Sequence, residues 1–304
     1  MARKLLDYAL ITLKGMAMGA ADVVPGVSGG TIAFISGIYE ELIDSINTIK
    51  PSLIPLWKKE GFNTFWRTIN GNFLLALFLG IFISVLSLAQ FLSWLLENEP
   101  VLLWSFFFGL VLASIFLVGK EIEKWNISTV VILLIGASIA YFITTLPPNE
   151  NVDSIPYLFL SGALAVCAMI LPGISGAFIL VLLGSYKTIL DAVHERNFVM
   201  VGTVALGAIF GLLSFARLLK WMFNNYRNST LALLTGFILG SLNKIWPWKK
   251  VLETKVFDDK VIPIKELNVT PFNFEGDPQI FAALGLALAG FSLIFMLERI
   301  AAKK

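Results

Sequence analysis

Two short segments carry the residues best suited to chemistry. Pro25-Gly26-Val27-Ser28-Gly29-Gly30 returns as Pro172-Gly173-Ile174-Ser175-Gly176-Ala177, each inside strongly apolar surroundings. Proline donates no backbone hydrogen bond and glycine permits tight or left-handed backbone, so a helix must stop at each segment. Helices restarting near Thr31 and Phe178 would aim N-terminal amides and positive dipole ends at the break, where anions, and phosphate especially, are held. Ser28 and Ser175 add matching hydroxyls, able to donate to a phosphate oxygen or to cap the following helix. The candidate phosphate-binding set is Gly26, Ser28, Gly29, Gly30, Gly173, Ser175 and Gly176, with Arg217 as the cation because its guanidinium fork matches phosphate oxygens. Arg217 also lies about two turns from the end of its apolar helix, close enough to extend to the interface instead. Asp22 has Met169 as its counterpart. An acid near bilayer depth suits proton or ion coupling, or an ion pair with a base such as Lys14, while capping of the turn's amides is the structural alternative.

The repeat extends past the hexapeptides. Gly15, Gly37, Tyr39 and Asp44 stand at the same spacing from their proline as Gly162, Gly184, Tyr186 and Asp191. Two later blocks repeat at a different offset, Ser87 to Trp94 with Ser214 to Trp221, and Gly109 to Ser114 with Gly236 to Ser241. The first half therefore carries an insertion between Ile49 and Gly71. Gly and Pro interrupting hydrophobic segments at corresponding positions of two halves point to a transporter's substrate site.

With 57% hydrophobic residues and only 14% charged, and a mean hydropathy of +0.80, the chain requires lipid as the solvent for most of its surface. Plain spans are expected at 73–96, 101–118, 127–146, 198–223, 230–246 and 280–297. The segments 5–46 and 156–193 are too long for one crossing, and each reads as two short helices meeting at a re-entrant turn. The expected fold is an all-α polytopic membrane protein of two repeats, 1–150 and 151–304, each a broken hairpin plus three transmembrane helices. The polar stretch Lys249 to Asp277 reads as a long loop.

If each broken segment returns to the side it entered from, the second repeat is inserted upside down. A single broken crossing in place of each hairpin would give parallel repeats. Cytoplasmic N- and C-termini put Arg3, Lys4, Lys50, Lys58, Lys59, Arg67, Lys120, Lys124, Lys220, Arg227, Arg299, Lys303 and Lys304 inside, and leave Lys187, Arg196 and the lysines of 249–277 outside. Arg3-Lys4 before an apolar run resembles a signal peptide. Asp7 and Lys14 interrupt that run, and its counterpart at Leu160 to Leu171 is internal.

Other functions find little support. A net charge of +2 gives none for nucleic acid. Cys167 is the single cysteine, which excludes a disulfide framework and a multi-Cys metal site, and His194 lies in a polar stretch beside Glu195 and Arg196. No catalytic residue, metal or cofactor is expected.

The stretch Gly19 to Thr31, the mirrored Leu171 to Gly176, Leu234-Thr235-Gly236 to Gly240-Ser241-Leu242, and Trp246-Pro247-Trp248-Lys249 together resemble the bacterial PopT-type polyprenyl-phosphate transporter family, over nearly the whole chain. The resemblance implies flipping of undecaprenyl phosphate across the cytoplasmic membrane to recycle the cell-wall lipid carrier, with that lipid and the bilayer as partners. An amide-lined pocket could equally serve a transporter or channel for a small soluble anion.

Overall fold

The computed structural model describes residues 3–23, 27–146, 154–257 and 260–302, so Pro25 and Gly26 lie outside the described residues. The first apolar segment is broken twice rather than once, into α1 (Leu5–Val23), α2 (Gly29–Ile35) and α3 (Tyr39–Asn47). The second break falls at Gly37, whose φ of 71° closes α2: Gly37 N donates to Phe34 O and Ile38 N to Ala33 O.

Next comes α4 (Leu53–Thr68), which fills the inserted stretch and exposes Ile54, Trp57 and Phe62, followed by α5 (Gly71–Asn98), α6 (Pro100–Lys120) and α7 (Ile127–Thr145). The second half repeats this order with α8 (Ile155–Ile170), α9 (Gly176–Leu182) and α10 (Tyr186–His194). Gly184, at φ 69°, closes α9 with the same pair of bonds, Gly184 N to Val181 O and Ser185 N to Leu180 O. The chain bends by 103° between α9 and α10.

The expected spans 198–223 and 230–246 form one 44-residue element, α11 (Phe198–Ser241), interrupted at Tyr226 (φ −140°, ψ 46°). At about 1.5 Å per residue its length is about twice a hydrocarbon core, enough for two crossings. The last helix is α12 (Ile280–Ala302). Among the described residues four helices are long and apolar enough to cross a membrane, or five if α9 and α10 count as one bent span.

The 249–277 stretch corrects two expectations, a loop and an all-α fold. It contains β1 (Lys249–Phe257) and β2 (Lys260–Asn268), paired antiparallel from Lys249 opposite Asn268 to Phe257 opposite Lys260. The apolar residues fall in pairs, Val251-Leu252 and Val256-Phe257, and in the run Val261 to Ile264, so the strands draw on β-branched and aliphatic content without a polar–apolar alternation.

Helices cross where small residues let backbones touch. Gly80 of α5 abuts the Thr12 carbonyl of α1, and Gly207 of α11 abuts the Phe159 carbonyl of α8. The later helices pack across the halves: Gly109 of α6 meets Ala287 of α12, and Gly236 of α11 meets Leu133 of α7. Two polar ends result. At one, Arg3 pairs with Glu41, Lys220 with Asp44, and Arg227 with Glu40 and Glu121. At the other, Trp246 Nε1 donates to Val269 O, Trp248 Nε1 to Pro278 O, and Gln279 Nε2 to Glu99 Oε2. The helix α6 connects them, from Glu99 at its start to Glu121 at its end.

Candidate functional site

The breaks after α1 and α8 meet tip to tip. Ser28 Oγ lies 3.2 Å from Met169 O and 3.1 Å from Leu171 O, and the Gly173 amide donates to Thr31 Oγ1 at 2.9 Å. Ser28 and Thr31 are fully buried and Ser175 nearly so. The approach is close enough that a Cβ on Gly30 would sit 2.5 Å from the Ile170 carbonyl oxygen. At Gly173, where φ is 88°, a Cβ would sit 2.8 Å from Ser241 Oγ and 2.9 Å from Phe237 O.

Each helix stops here for a local reason. Leu171 is extended before Pro172, as a residue preceding proline must be, and Ser28 is extended at the N-cap of α2. The caps then differ. Asp22 Oδ1 accepts the Gly29 amide at 2.7 Å and Ser28 Oγ the Gly30 amide at 3.1 Å, so at the first break both residues take the capping role. At the second break Ser175 makes no capping bond, and the Met169 side chain lies against Gly176.

The structure thus brings together Ser28, Gly29, Gly30 and Gly173, with Asp22 on the Gly29 amide, Gly176 against Met169, and Ser175 buried in the second tip. Gly26 lies outside the described residues. Lys14 is one step removed: its ammonium donates at 2.6 Å to the Ser36 carbonyl that ends α2. In the second half the Tyr157 hydroxyl performs that task at 2.9 Å on Leu183 O. Arg217 is not brought to the tips. It lies on the exposed face of α11, beside Ala216, whose carbonyl accepts Asn47 Nδ2.

Polar groups that were not singled out line both ends. Near α3 a cavity of 530 Å³ is bounded by Glu41, Asp44, Ser45, Thr48, Asn70 and Lys220. Burial works to raise the Glu41 carboxyl, and hydrogen bonds from Arg3 and Asn70 outweigh it, holding that carboxyl below its ordinary range. At the opposite end Lys244 and Lys249 reach one carboxylate oxygen, Glu266 Oε2, at 3.1 and 3.5 Å. Burial pushes the Lys249 ammonium down to about 8, with Glu266 opposing the shift. The only sequence signal was the Trp246-Pro247-Trp248-Lys249 motif, since Glu266 arrives through strand pairing.

A family described as undecaprenyl phosphate translocase-like matches residues 18–260, and the chain belongs to that family. A polyprenyl-phosphate transporter of Vibrio cholerae serotype O1 is 47% identical over the full length of both chains. A polyprenyl-phosphate transporter of Staphylococcus aureus is 31% identical over 77% of this chain and 85% of its own. No solved structure matches the chain. The apolar helices and the two transporter relatives make this a multi-pass membrane protein.

Proposed function

We propose that this chain carries the phosphate headgroup of undecaprenyl phosphate across the bacterial cytoplasmic membrane, returning the carrier lipid for reuse, and that the junction of the two tips is its gate. The hydrogen-bonded junction carries the reading: two interrupted segments close on each other through Ser28, Thr31 and Gly173. Non-helical backbone at membrane depth persists only when its polar groups find partners, and here each tip supplies them to the other.

A phosphate monoester carries about −1.5 to −2 charges at neutral pH, and bare passage through hydrocarbon is prohibitive. Parting of the tips would free the Ser28 hydroxyl and the Gly173 amide, with the Gly29 and Gly30 amides and Ser175 beside them, to replace headgroup water while the prenyl tail stays in lipid. The Asp22 carboxylate holds the Gly29 amide in the closed state. An arriving phosphate would displace it, which makes Asp22 the group to take up a proton or meet a coupling ion. Lys14 steadies the end of α2, and Arg217 receives the headgroup at the bundle surface.

The repeats are inverted in this scheme. Arg3, at the start of α1, pairs with Glu41, while α8 starts beside the first arm of α11, far from the Lys220–Asp44 pair that ends that arm. Rocking one repeat against the other would then present the headgroup to alternate leaflets, with both termini cytoplasmic. Reconstitution in liposomes with labelled undecaprenyl phosphate tests the reading. Exchange between leaflets well above protein-free vesicles is expected, and exchange at the protein-free rate, with or without a pH gradient, overturns it.

A further inference from the structure

We propose that Lys244 and Lys249 form an anion site for a phosphate monoester at the β-hairpin end of the bundle, and that Glu266 of the hairpin occupies it when no phosphate is bound. The proposal rests on the transport reading only for its lipid-borne form.

The two ammonium groups converge on a single oxygen, Glu266 Oε2, at 3.1 and 3.5 Å. Among the described residues, two lysines converge on one carboxylate, one positive charge more than it neutralises. The setting is largely closed to water: the Lys249 side chain is 7% exposed and Glu266 18%. Aromatic walls flank it, with the Lys249 ammonium 4.2 Å from the Trp104 ring centre and that of Lys244 5.1 Å from the ring centre of Phe178, which lies on α9. The cluster is also continuous with the second tip, because Lys244 N donates to Ser241 O at 2.9 Å and Ser241 Oγ abuts Gly173.

A phosphate monoester brings nearly two negative charges and three acceptor oxygens, so it satisfies both ammonium groups where a carboxylate neutralises only one. Lysine binds phosphate as a point charge with freely turning donors, which suits a ligand that arrives and leaves. Glu266 sits diagonally opposite Lys249 across the strand pair, Lys249 facing Asn268 and Val251 facing Glu266. The hairpin therefore carries the competing carboxylate, and binding would release it.

The test is calorimetric binding by the full-length protein in lipid nanodiscs, with farnesyl phosphate, inorganic phosphate and farnesol as probes. Glu266→Gln removes the competitor and is expected to tighten farnesyl phosphate about tenfold, whereas Lys244→Gln weakens it about tenfold and Lys244→Arg restores it. Farnesol is expected to bind all forms alike, and Lys250→Gln, which loses only the more exposed pair with Glu275, to match the wild type. A purely structural ion pair would give weaker binding, or none of these changes, in both Glu266→Gln and Lys244→Gln, and either result overturns the site. Should Glu266→Gln fail to fold, loss in Lys244→Gln with recovery in Lys244→Arg decides the matter. Farnesyl phosphate binding that ignores Lys244 removes the site and leaves the transport reading standing. Lys244-dependent binding of inorganic phosphate without farnesyl phosphate leaves the site and removes the lipid, and binding of neither probe by the wild type overturns both.

Discussion

At the first break Asp22 and Ser28 take the amides of Gly29 and Gly30, whereas at the second Met169 lies against Gly176 and Ser175 makes no capping bond. The backbones are otherwise alike down to the glycines that end α2 and α9, with φ of 71° and 69°. The first tip thus holds a built-in carboxylate where an anion would bind, and the second holds none. A positive charge comes instead from Lys244, beyond the end of α11, whose ammonium lies over the Phe178 ring of α9. In the proposed scheme the first tip responds to protons or ions and the second receives the headgroup.

The strongest way to break this comparison is to wedge the tips apart. Gly173→Val places a branched side chain at φ 88° and against Ser241 and Phe237, and Gly30→Val drives one into the Ile170 carbonyl. Leaflet exchange is expected to fall to the protein-free rate in both, with protein still present in the membrane. Normal exchange by both would show that close contact of the tips is dispensable.

A smaller effect is expected from Asp22→Asn, which keeps an acceptor for the Gly29 amide and removes the charge. Exchange should drop about tenfold and lose its response to a pH gradient, with little change in thermal stability. The matching change at the second tip, Met169→Leu, should leave the response intact. Gradient-dependent exchange by Asp22→Asn at the wild-type level would assign Asp22 to capping alone.

The smallest effect is on stability. Ser28→Ala removes a helix cap and the link to Met169 and Leu171, and is expected to cost about 1–2 kcal/mol, against less than about 0.5 kcal/mol for Ser175→Ala. Unfolding in detergent, followed by circular dichroism, measures both, and equal losses would mean that the two serines do the same work.

Much of this architecture was legible because its signals are local. A proline followed by glycines stops a helix wherever it falls: α8 ends just before Pro172, and the described residues next to Pro25 and Gly26, Val27 and Ser28, are not helical. The second breaks at Gly37 and Gly184 were visible as matched glycines, yet the apolar run continues through them, and only the bonds that close α2 and α9 show that the helices end there. The strands were obscured by Lys, Asp and Glu, whose density outweighed the short apolar pairs Val251-Leu252 and Val256-Phe257. Arg217 was singled out for its chemistry, and the face of α11 on which it lies follows from which neighbours pack against Ala216 and Leu219.

The sequence by itself determined that the chain lives in lipid, that it repeats, and that a helix must stop at each Pro-Gly segment, since apolar length and backbone restriction act within a few residues. The tertiary structure decided what the breaks touch. Ser28 reaches Met169 across 141 positions and Glu266 reaches Lys244 across 22, and such meetings depend on how α1, α8 and the hairpin are carried together by the packing of every helix between them.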